Sequence, residues 1–499
     1  MFMNILIVLT IIYLLYKFSV RNFDYWEKRG VPYPKPLPFI GNVFDLFTGR
    51  VGIGHLLADF YNNYKTPYFG IYVFNKPYLI LRNLELIKDI LVKDFNYFPD
   101  RTVLCDEKLD SLASKLLFIA KNPEWKFLRS KISQAFSTGK IKNMFPLISA
   151  VAKEMNAYVT KNQHSNFIEA KELCAKYATE VVATCAFGIN SNCFENEDAE
   201  FRVIGRKLFS TEIMNSVRQV AYFFAHGLVK FFKLPFFDSG CVKFMREMIH
   251  STLENREKTQ FKRNDVIDVI MQIRSKSNIQ DAYKFEGDRI VAQAGQFFTA
   301  GFETVSTTMS FALYEMCLQQ GIQGKIRSEI KDSLIKYGEL TYEGIQEMKY
   351  LNMVVCETLR KYPVLAFLDR LCIQDYKIPG SDLVIEKGTP IYIPMFGLHY
   401  DPQYFPDPDK FDPERFSDEN RNRLPSYAYI PFGEGPRVCI GERLGLVVSK
   451  LGLCYLLSQF EVARCTETPV PIIFETKGII LASTVGLPLK FQKSPIITT

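Results

Sequence analysis

The sequence is poor in the features that mark disulfide-bonded, zinc-binding or nucleic-acid-binding proteins. Its 499 residues include only five histidines, which are too scattered for a common zinc-binding spacing. The eleven cysteines form no CxxC pair and their number is odd, so we expect reduced thiols rather than a disulfide framework. The formal net charge is only +7 and basic runs are absent, so nucleic acid is not an expected ligand.

The chain also lacks the glycine-rich loops that bind nucleotides. No GxGxxG motif follows a strand pattern, and no P-loop motif occurs. Electrons for any redox reaction must therefore come from another protein. The hydrophobic content of 47% and the charged content of 23% are typical of a globular protein with a buried core.

The first twenty residues are a predicted membrane anchor. No charge occurs before Lys17, and only Thr10 interrupts the apolar run from Ile5 to Tyr16. Sixteen helical residues reach about 24 Å, and residues 17–20 extend them toward the roughly 27 Å of an endoplasmic reticulum bilayer. A cleaved signal peptide is the alternative, but the run has no preceding cation and no small-residue cleavage site after it. Cations dominate just beyond the run, which predicts a single-pass anchor with a cytoplasmic main domain.

Residues 21–38 are predicted to form a proline-rich hinge. From Pro32 to Pro38 every second residue is proline, which excludes helix and central strand and favours a stiff, extended spacer. An ordinary linker without an orienting role is the alternative. No repeat or second linker divides residues 39–499, so we expect one catalytic domain there.

The pattern of the remaining chain predicts an α+β fold that is mainly α, with a large helical region and small β-sheets. A hairpin is expected where Asn75-Lys76-Pro77 separates two β-rich runs. Short strands are expected at 383–393, 472–474 and 487–491. Apolar residues at helical spacing fill these segments: 83–92, 142–158, 169–186, 288–318 and 346–361.

One cysteine lies in a motif. Residues 432–441 match F-x-x-G-x-R-x-C-x-G, in which glycines allow tight turns and Arg437 supplies a permanent cation beside Cys439. The helical pattern from Ile440 onward places this cysteine at a helix N-terminus, which favours the thiolate. A thiolate at this position is a candidate metal ligand, whereas a structural role suits the other ten cysteines.

This segment resembles the haem-binding loop of the cytochromes P450, the haem-thiolate monooxygenases. The resemblance implies a cytochrome P450 fold and haem b, iron protoporphyrin IX, with Cys439 as the axial thiolate ligand of the iron. It further implies that Phe432 packs near the sulfur and that Arg437 binds a haem propionate. Segments 186–188, 352–363 and 432–445 look most like animal microsomal members, especially insect xenobiotic-metabolising ones.

Further motifs occur along the chain in the same order as in the family. By resemblance, Trp125, Arg129, Arg370 and Arg101 are candidates for holding the haem propionates. Each arginine, taken singly, is more typical of a solvated surface position. The residues Glu357, Arg360 and Arg415 resemble the family's Glu-Arg-Arg network, to which we assign a structural role because bidentate ion pairs lock irregular segments.

A fourth motif, residues 300–304, lies within the predicted helix 288–318. Gly301 costs about 1 kcal/mol relative to alanine in mid-helix, so its presence needs a reason. In the family, Ala300 and Gly301 lie over the haem, where the helix loosens. Glu303 and Thr304 are the catalytic candidates that relay protons to bound oxygen. Val305 replaces the hydroxyl residue that usually follows.

The resemblance implies an oxidoreductase that inserts one atom of O2 into a lipophilic small molecule, either a xenobiotic or an endogenous lipid or hormone. The expected electron source is NADPH through NADPH-cytochrome P450 reductase, with cytochrome b5 as a further candidate partner. The alternatives are a haem-thiolate isomerase or dehydratase and a non-catalytic haem-binding protein, neither of which needs the acid and threonine pair. Candidate apolar pocket residues are Phe98, Leu117, Phe118, Phe209 and Phe302.

Overall fold

The structure is a computed structural model that describes residues 1–263, 265–276 and 283–497. Helix predominates and the sheets are small, which confirms the predicted mainly α, α+β class. The helices of the described residues are α1 (Phe2–Val20), α2 (Phe44–Phe47), α3 (Ile53–Asn63), α4 (Leu84–Lys88), α5 (Glu124–Ile132), α6 (Thr138–Asn162), α7 (Ala170–Val182), α8 (Glu200–Leu208), α9 (Ile213–Phe224), α10 (His226–Phe232), α11 (Ser239–Thr259), α12 (Val266–Lys276), α13 (Asp288–Leu318), α14 (Gln320–Tyr337), α15 (Tyr342–Glu347), α16 (Lys349–Lys361), α17 (Met395–His399), α18 (Asp418–Arg421) and α19 (Glu442–Gln459). The strands are β1 (Tyr68–Val73), β2 (Lys76–Leu81), β3 (Ile168–Glu169), β4 (Phe367–Leu371), β5 (Tyr376–Lys377), β6 (Val384–Ile385), β7 (Pro390–Pro394), β8 (Phe460–Arg464) and β9 (Pro488–Lys493).

The described chain forms two compact units, each assembled from three separate stretches. The first unit contains Met1–Val103, Leu365–Pro408 and Leu424–Val438. The second contains Leu104–Val364, Asp409–Arg423 and Cys439–Thr499, of which we describe the residues given above. Because the stretches alternate along the chain, no linker in the sequence marks the boundary between the units.

A four-stranded sheet organises the first unit. Its strand order is β1-β2-β7-β4, with β1 and β2 forming the predicted antiparallel hairpin. Strand β7 pairs in parallel with β2 and antiparallel with β4. Consecutive apolar side chains of β2 and β7 are buried on both faces of the sheet, among them Leu79, Ile80 and Ile391. This sheet therefore carries the core of the first unit.

The segment that follows α1 is docked on this sheet. Trp26 is only 2% exposed, and its indole Nε1 donates a hydrogen bond to the carbonyl of Ile71 at 3.2 Å. A Cβ at Gly70 would lie 2.4 Å from the indole ring, so glycine is required for the ring to lie flat against β1. The predicted hinge is bound as well, because the Gly70 amide donates to the carbonyl of Pro32 at 2.9 Å.

Helix α1 ends against the β1–β2 turn. The side-chain amide of Asn75 donates to the carbonyl of Phe18 at 3.1 Å, and that of Asn22 donates to the carbonyl of Asn75 at 3.0 Å. Residues 2–20 are long and apolar enough to cross a membrane, with a mean hydropathy of 1.9, and they are almost wholly exposed. The structure thus agrees with a membrane anchor, and it ties the end of that anchor to the first unit.

Helix α13 is the central element of the second unit. It spans 31 residues, most of them buried, and packs against α7, α11 and α19. A helix that is apolar on nearly all sides is typical of the middle of a large core. The predicted bounds of 288–318 coincide with the observed Asp288–Leu318.

Three local predictions differ from the structure. Strand β2 begins at Lys76, so the hairpin turn is shorter than Asn75-Lys76-Pro77. Residues 472–474 form no strand and contribute only an isolated bridge from Phe474 to Ser483. Helix α19 begins at Glu442 rather than at Ile440, and its N-cap is Gly441.

Replacing Trp26 with alanine tests the docking of the segment after the anchor. Because the indole is buried and hydrogen-bonded, we expect Trp26→Ala to lower the free energy of unfolding by about 3–5 kcal/mol, measured by denaturant titration. Phe39→Ala is the matched control, since Phe39 is 51% exposed and its loss should cost less than about 0.5 kcal/mol. Equal stability of the two variants would contradict the docking.

Candidate haem and oxygen-activation site

Cys439 differs from the other cysteines by its exposure. All eleven cysteines are among the described residues, and Cys439 is the exposed one, whereas the others are buried or partly buried. It precedes the N-cap of α19 by two residues, so the helix begins about half a turn later than predicted. Cys439 therefore lies outside the packed core, where a bound group could reach it.

Two of the three glycines in the cysteine motif have the backbone conformation that the sequence predicts. Gly435 has a φ of +74°, and a Cβ there would lie 2.0 Å from the carbonyl oxygen of Leu91. Gly433 has a φ of +73°, whereas Gly441 has an ordinary φ of −93°. Gly433 and Gly435 are thus needed for the backbone turn. Gly435 is also needed because the Leu91 backbone lies so close to it. Phe432, between Pro431 and Gly433, is partly buried.

Three predicted arginines meet in the first unit. Arg437 donates from Nε to the carbonyl of Pro99 at 2.7 Å, and Arg101 forms an ion pair of 3.0 Å with Asp369. Arg370 donates from Nη1 to the carbonyl of Asp369 at 2.8 Å. A second carboxylate, Asp100, lies 3.3 Å from Nη2 of Arg437. The cluster therefore contains three guanidinium groups and two carboxylates.

The positive charge of this cluster is not fully balanced. Burial and the repulsion from Arg101 and Arg370 lower the pKa of Arg437 to about 8. Burial and repulsion from Arg101 lower the pKa of Arg370 to about 9. In addition, Nε of Arg370 is buried without a hydrogen-bond partner. Such a cluster fits a ligand that brings carboxylates, as the two propionates of haem do.

The second unit contributes a tryptophan and an arginine on one face of α5. Trp125 is 4% exposed and lies one helical turn before Arg129. Burial lowers the pKa of Arg129, while the nearby Cys439 thiolate acts in the opposite direction. The guanidinium of Arg129 is thus within electrostatic reach of the sulfur, which fits a position beside a cysteine-bound porphyrin.

The predicted Glu-Arg-Arg network forms in the second unit. Glu357 and Arg360 are fully buried and make two hydrogen bonds, Nε to Oε2 at 2.7 Å and Nη2 to Oε1 at 2.9 Å. Nε of Arg415 lies 3.4 Å from Oε1 of Glu357, and the Asp412 amide donates to the same oxygen at 2.8 Å. Nη2 of Arg360 also donates to the carbonyl of Lys410. The network therefore ties the end of α16 to the irregular segment 410–415.

The acidic motif of α13 lies on an accessible stretch in the middle of a mostly buried helix. Ala300 is exposed and Gly301, Glu303 and Thr304 are partly exposed, with buried residues before and after them. The helix stays regular through all of them, so the local loosening expected from the resemblance is absent. The Thr304 hydroxyl donates to the carbonyl of Ala300 at 2.7 Å.

Helix α7 explains the glycine of this motif. A Cβ at Gly301 would lie 2.9 Å from Cγ2 of Val182, so a larger residue would require the Val182 side chain to shift. The same helix supplies Lys171, whose ammonium lies 2.9 Å from Oε1 of Glu303. Sequence reasoning missed this lysine, because no local signal links two residues so far apart in the chain.

The candidate pocket residues divide into three groups. Phe98 is fully buried in the core of the first unit and packs edge-on against Tyr376, a packing role that does not test a role in a pocket. In the second unit, Phe209 packs edge-on against Phe302. Phe118 is 37% exposed and packs against Phe223.

Two glutamines that the sequence analysis missed fix the segment around Leu117. Gln296 accepts from the Leu117 amide at 2.9 Å, and Gln293 donates to the carbonyl of Lys115 at 2.6 Å. The two side chains also bond to each other at 3.0 Å. Helix α13 therefore positions the loop that carries Leu117 and Phe118.

Comparison with known proteins supports the expected family. The cytochrome P450 family model matches residues 31–491. The chain is 43% identical to cytochrome P450 6k1 of Blattella germanica over 98% of this chain and 97% of that protein. It is 42% identical to cytochrome P450 6j1 of the same species, with 98% and 97% covered. Identity to probable cytochrome P450 6g2 of Drosophila melanogaster is 39%, with 95% and 96% covered, so the predicted likeness to insect members is confirmed.

Loss of the Glu357 carboxylate tests the buried network. Because Glu357→Ala leaves the Arg360 guanidinium buried without its counter-ion, we expect the free energy of unfolding to fall by about 3–5 kcal/mol in a denaturant titration. Glu414→Ala is the control, since Glu414 is exposed and pairs at the surface with Lys325, which is worth at most about 1 kcal/mol. A Glu357 variant as stable as the control would refute the structural role.

Proposed function

Because the chain belongs to the cytochrome P450 family, we propose that it inserts one atom of O2 into a lipophilic small molecule, drawing electrons from NADPH through a reductase. The family is one of haem-dependent monooxygenases, and its cofactor is haem b with a cysteine thiolate ligand. The observation that carries the proposal is the exposed Cys439 within the family's motif, together with the accessible acid and threonine on α13.

We assign the haem contacts to the residues named from the sequence. Cys439 would bind the iron, and Phe432 would pack near its sulfur. The propionates would be held by Arg101, Arg370 and Arg437 and by Trp125 and Arg129. Ala300 and Gly301 would lie over the haem. When bound, haem supplies the iron at which O2 is reduced and activated.

A bound propionate would stabilise the buried arginine cluster. Nε of Arg370 and the lowered pKa values of Arg370 and Arg437 both indicate a need for negative charge. A carboxylate in hydrogen-bond contact would raise these pKa values again and satisfy the orphaned N–H group. Propionate binding would thus reduce the repulsion among the buried guanidinium groups and satisfy the free N–H group of Arg370.

Proton delivery is the proposed task of Glu303 and Thr304. Reduction of O2 with insertion of one atom consumes two protons and releases water, so a donor must reach the oxygen-binding face. The Thr304 hydroxyl needs only a rotation about χ1 to leave the Ala300 carbonyl. Glu303, one residue before it, can then replace the proton that Thr304 passes on.

The electron donor is a separate protein in this proposal. NADPH-cytochrome P450 reductase is the proposed donor, and cytochrome b5 is a second one, because the chain carries no nucleotide-binding motif of its own. Lys126 and Lys131 of α5 offer basic side chains that suit an acidic flavoprotein surface.

The proposed substrate is lipophilic, either a xenobiotic or an endogenous lipid or hormone. Aromatic side chains such as Phe209 and Phe302 offer apolar contacts in the second unit. We propose the endoplasmic reticulum membrane as the location, with α1 spanning it once and the rest of the chain in the cytoplasm. A lipophilic substrate would then reach the enzyme from the lipid.

Replacing Thr304 with alanine tests the monooxygenase reaction. With full-length protein, reductase and a compound selected by a substrate-binding spectral screen, we expect Thr304→Ala to lower the product formed per NADPH about tenfold. Hydrogen peroxide should rise correspondingly, because electrons still reach oxygen but protons do not arrive in the productive order.

Thr308→Ala is the matched control for this experiment. Thr308 lies one turn further along α13 and makes the same kind of bond, to the carbonyl of Thr304 at 2.9 Å, but it is buried. Unchanged product per NADPH in the Thr304 variant would refute the proton relay. A wild-type protein that converts peroxides without O2 or reductase would instead point to an isomerase.

A further inference from the structure

The ammonium of Lys171 makes three close contacts with side chains of α13. Besides the 2.9 Å ion pair with Glu303, Nζ lies 2.7 Å from the Ser306 hydroxyl and 2.8 Å from the Thr307 hydroxyl. The carbonyl of Glu303 lies at 3.2 Å. An ammonium has three N–H donors, so these acceptors use all of them. Within the described part of the chain, the Lys171 ammonium therefore binds only groups of α13, and its carboxylate partner is Glu303.

The ion pair of Lys171 and Glu303 lies in mostly buried surroundings. Ser306 and Thr307 are fully buried, and the side chain of Glu303 is only 12% exposed. The backbone of Lys171 is also fixed, because Glu169 caps α7 and accepts from the Lys171 amide at 3.0 Å. The Lys171 side chain is 22% exposed, so this partly buried ion pair is less screened by water than a pair at the surface.

The pairing also sets the direction in which Glu303 faces. Among the described residues, the carboxylate of Glu303 is bonded to Lys171, whereas the hydroxyl of Thr304 is bonded to Ala300. The acid and the alcohol are adjacent in sequence yet make no hydrogen bond to each other. For a proton to pass between them, Glu303 must turn away from the lysine.

We propose that Lys171 is a positioning residue of the proton relay. Its ion pair holds the Glu303 carboxylate against α7, which is the starting position of the relay, and Glu303 leaves this position when it takes up a proton from water. Glu303 then gives that proton to Thr304, Thr304 passes its own proton to the oxygen-binding face, and the carboxylate returns to Lys171. One proton enters from water and one leaves per cycle, while the lysine remains an ammonium. The inference rests on the proposed function.

The test compares Lys171→Met, Glu303→Gln and the double variant in the full-length protein with reductase and the screened compound. Each single variant should lower product per NADPH about tenfold, with KM nearly unchanged. The double variant should be no worse than Glu303→Gln, because the lysine acts only through that carboxylate. Lys171→Arg keeps the charge and should recover a large part of the loss.

Lys176→Met is the matched control. Lys176 lies on the same helix, is 1% exposed and pairs with Glu197 rather than with α13. Its loss should lower stability but leave product per NADPH unchanged. If Lys171→Met fails to fold, Lys171→Gln takes its place, since it removes the charge and retains hydrogen-bonding groups.

The outcomes distinguish a failure of the positioning role of Lys171 from a failure of the proposed proton relay. If Thr304→Ala and Glu303→Gln lower product per NADPH while the Lys171 variants do not, the positioning role is refuted and the proposed function stands. If none of these variants changes it, the proton relay itself is refuted. Additive losses in the double variant would also refute the positioning role, because they would show that Lys171 acts independently of Glu303.

Discussion

The structure depends on positive charge that the protein holds in its interior without enough negative charge to match. Arg101 pairs with Asp369 and Arg437 with Asp100, whereas Nε of Arg370 finds no hydrogen-bond partner among the described residues. Burying such groups is costly unless an anion completes the arrangement. We propose that the propionates of haem b offset this cost. In the second unit, the exposed Cys439 is the proposed ligand of the haem iron.

Helix α13 brings several functions together in the second unit. Its glutamines hold the loop around Leu117, its small residue Gly301 admits α7, and its accessible stretch presents Glu303 and Thr304. Because the helix is otherwise buried on all sides, these groups have little freedom to move apart. A rigid element is the right place for groups whose spacing decides proton transfer.

Much of the site could be predicted because its signals are local in sequence. The i, i+3 spacing of Glu357 and Arg360 predicts their ion pair, whereas the cysteine motif and the motif around Thr304 are named as candidates by their resemblance to the family over about ten residues or fewer each. Lys171 could not be predicted, since its partner Glu303 lies far along the chain and only the packing of α7 on α13 joins them. The alternation of the two units along the chain likewise leaves no trace in composition.

The measurement that tests this account most directly is the absorption spectrum of the reduced, carbon monoxide-treated protein, compared with that of Cys439→Ser. The account predicts that the full-length protein binds one haem b and shows the red-shifted Soret band of a thiolate-ligated iron, and that the variant loses this band. A variant that retains the same band with the same haem content would contradict the assignment of Cys439 and the account built on it.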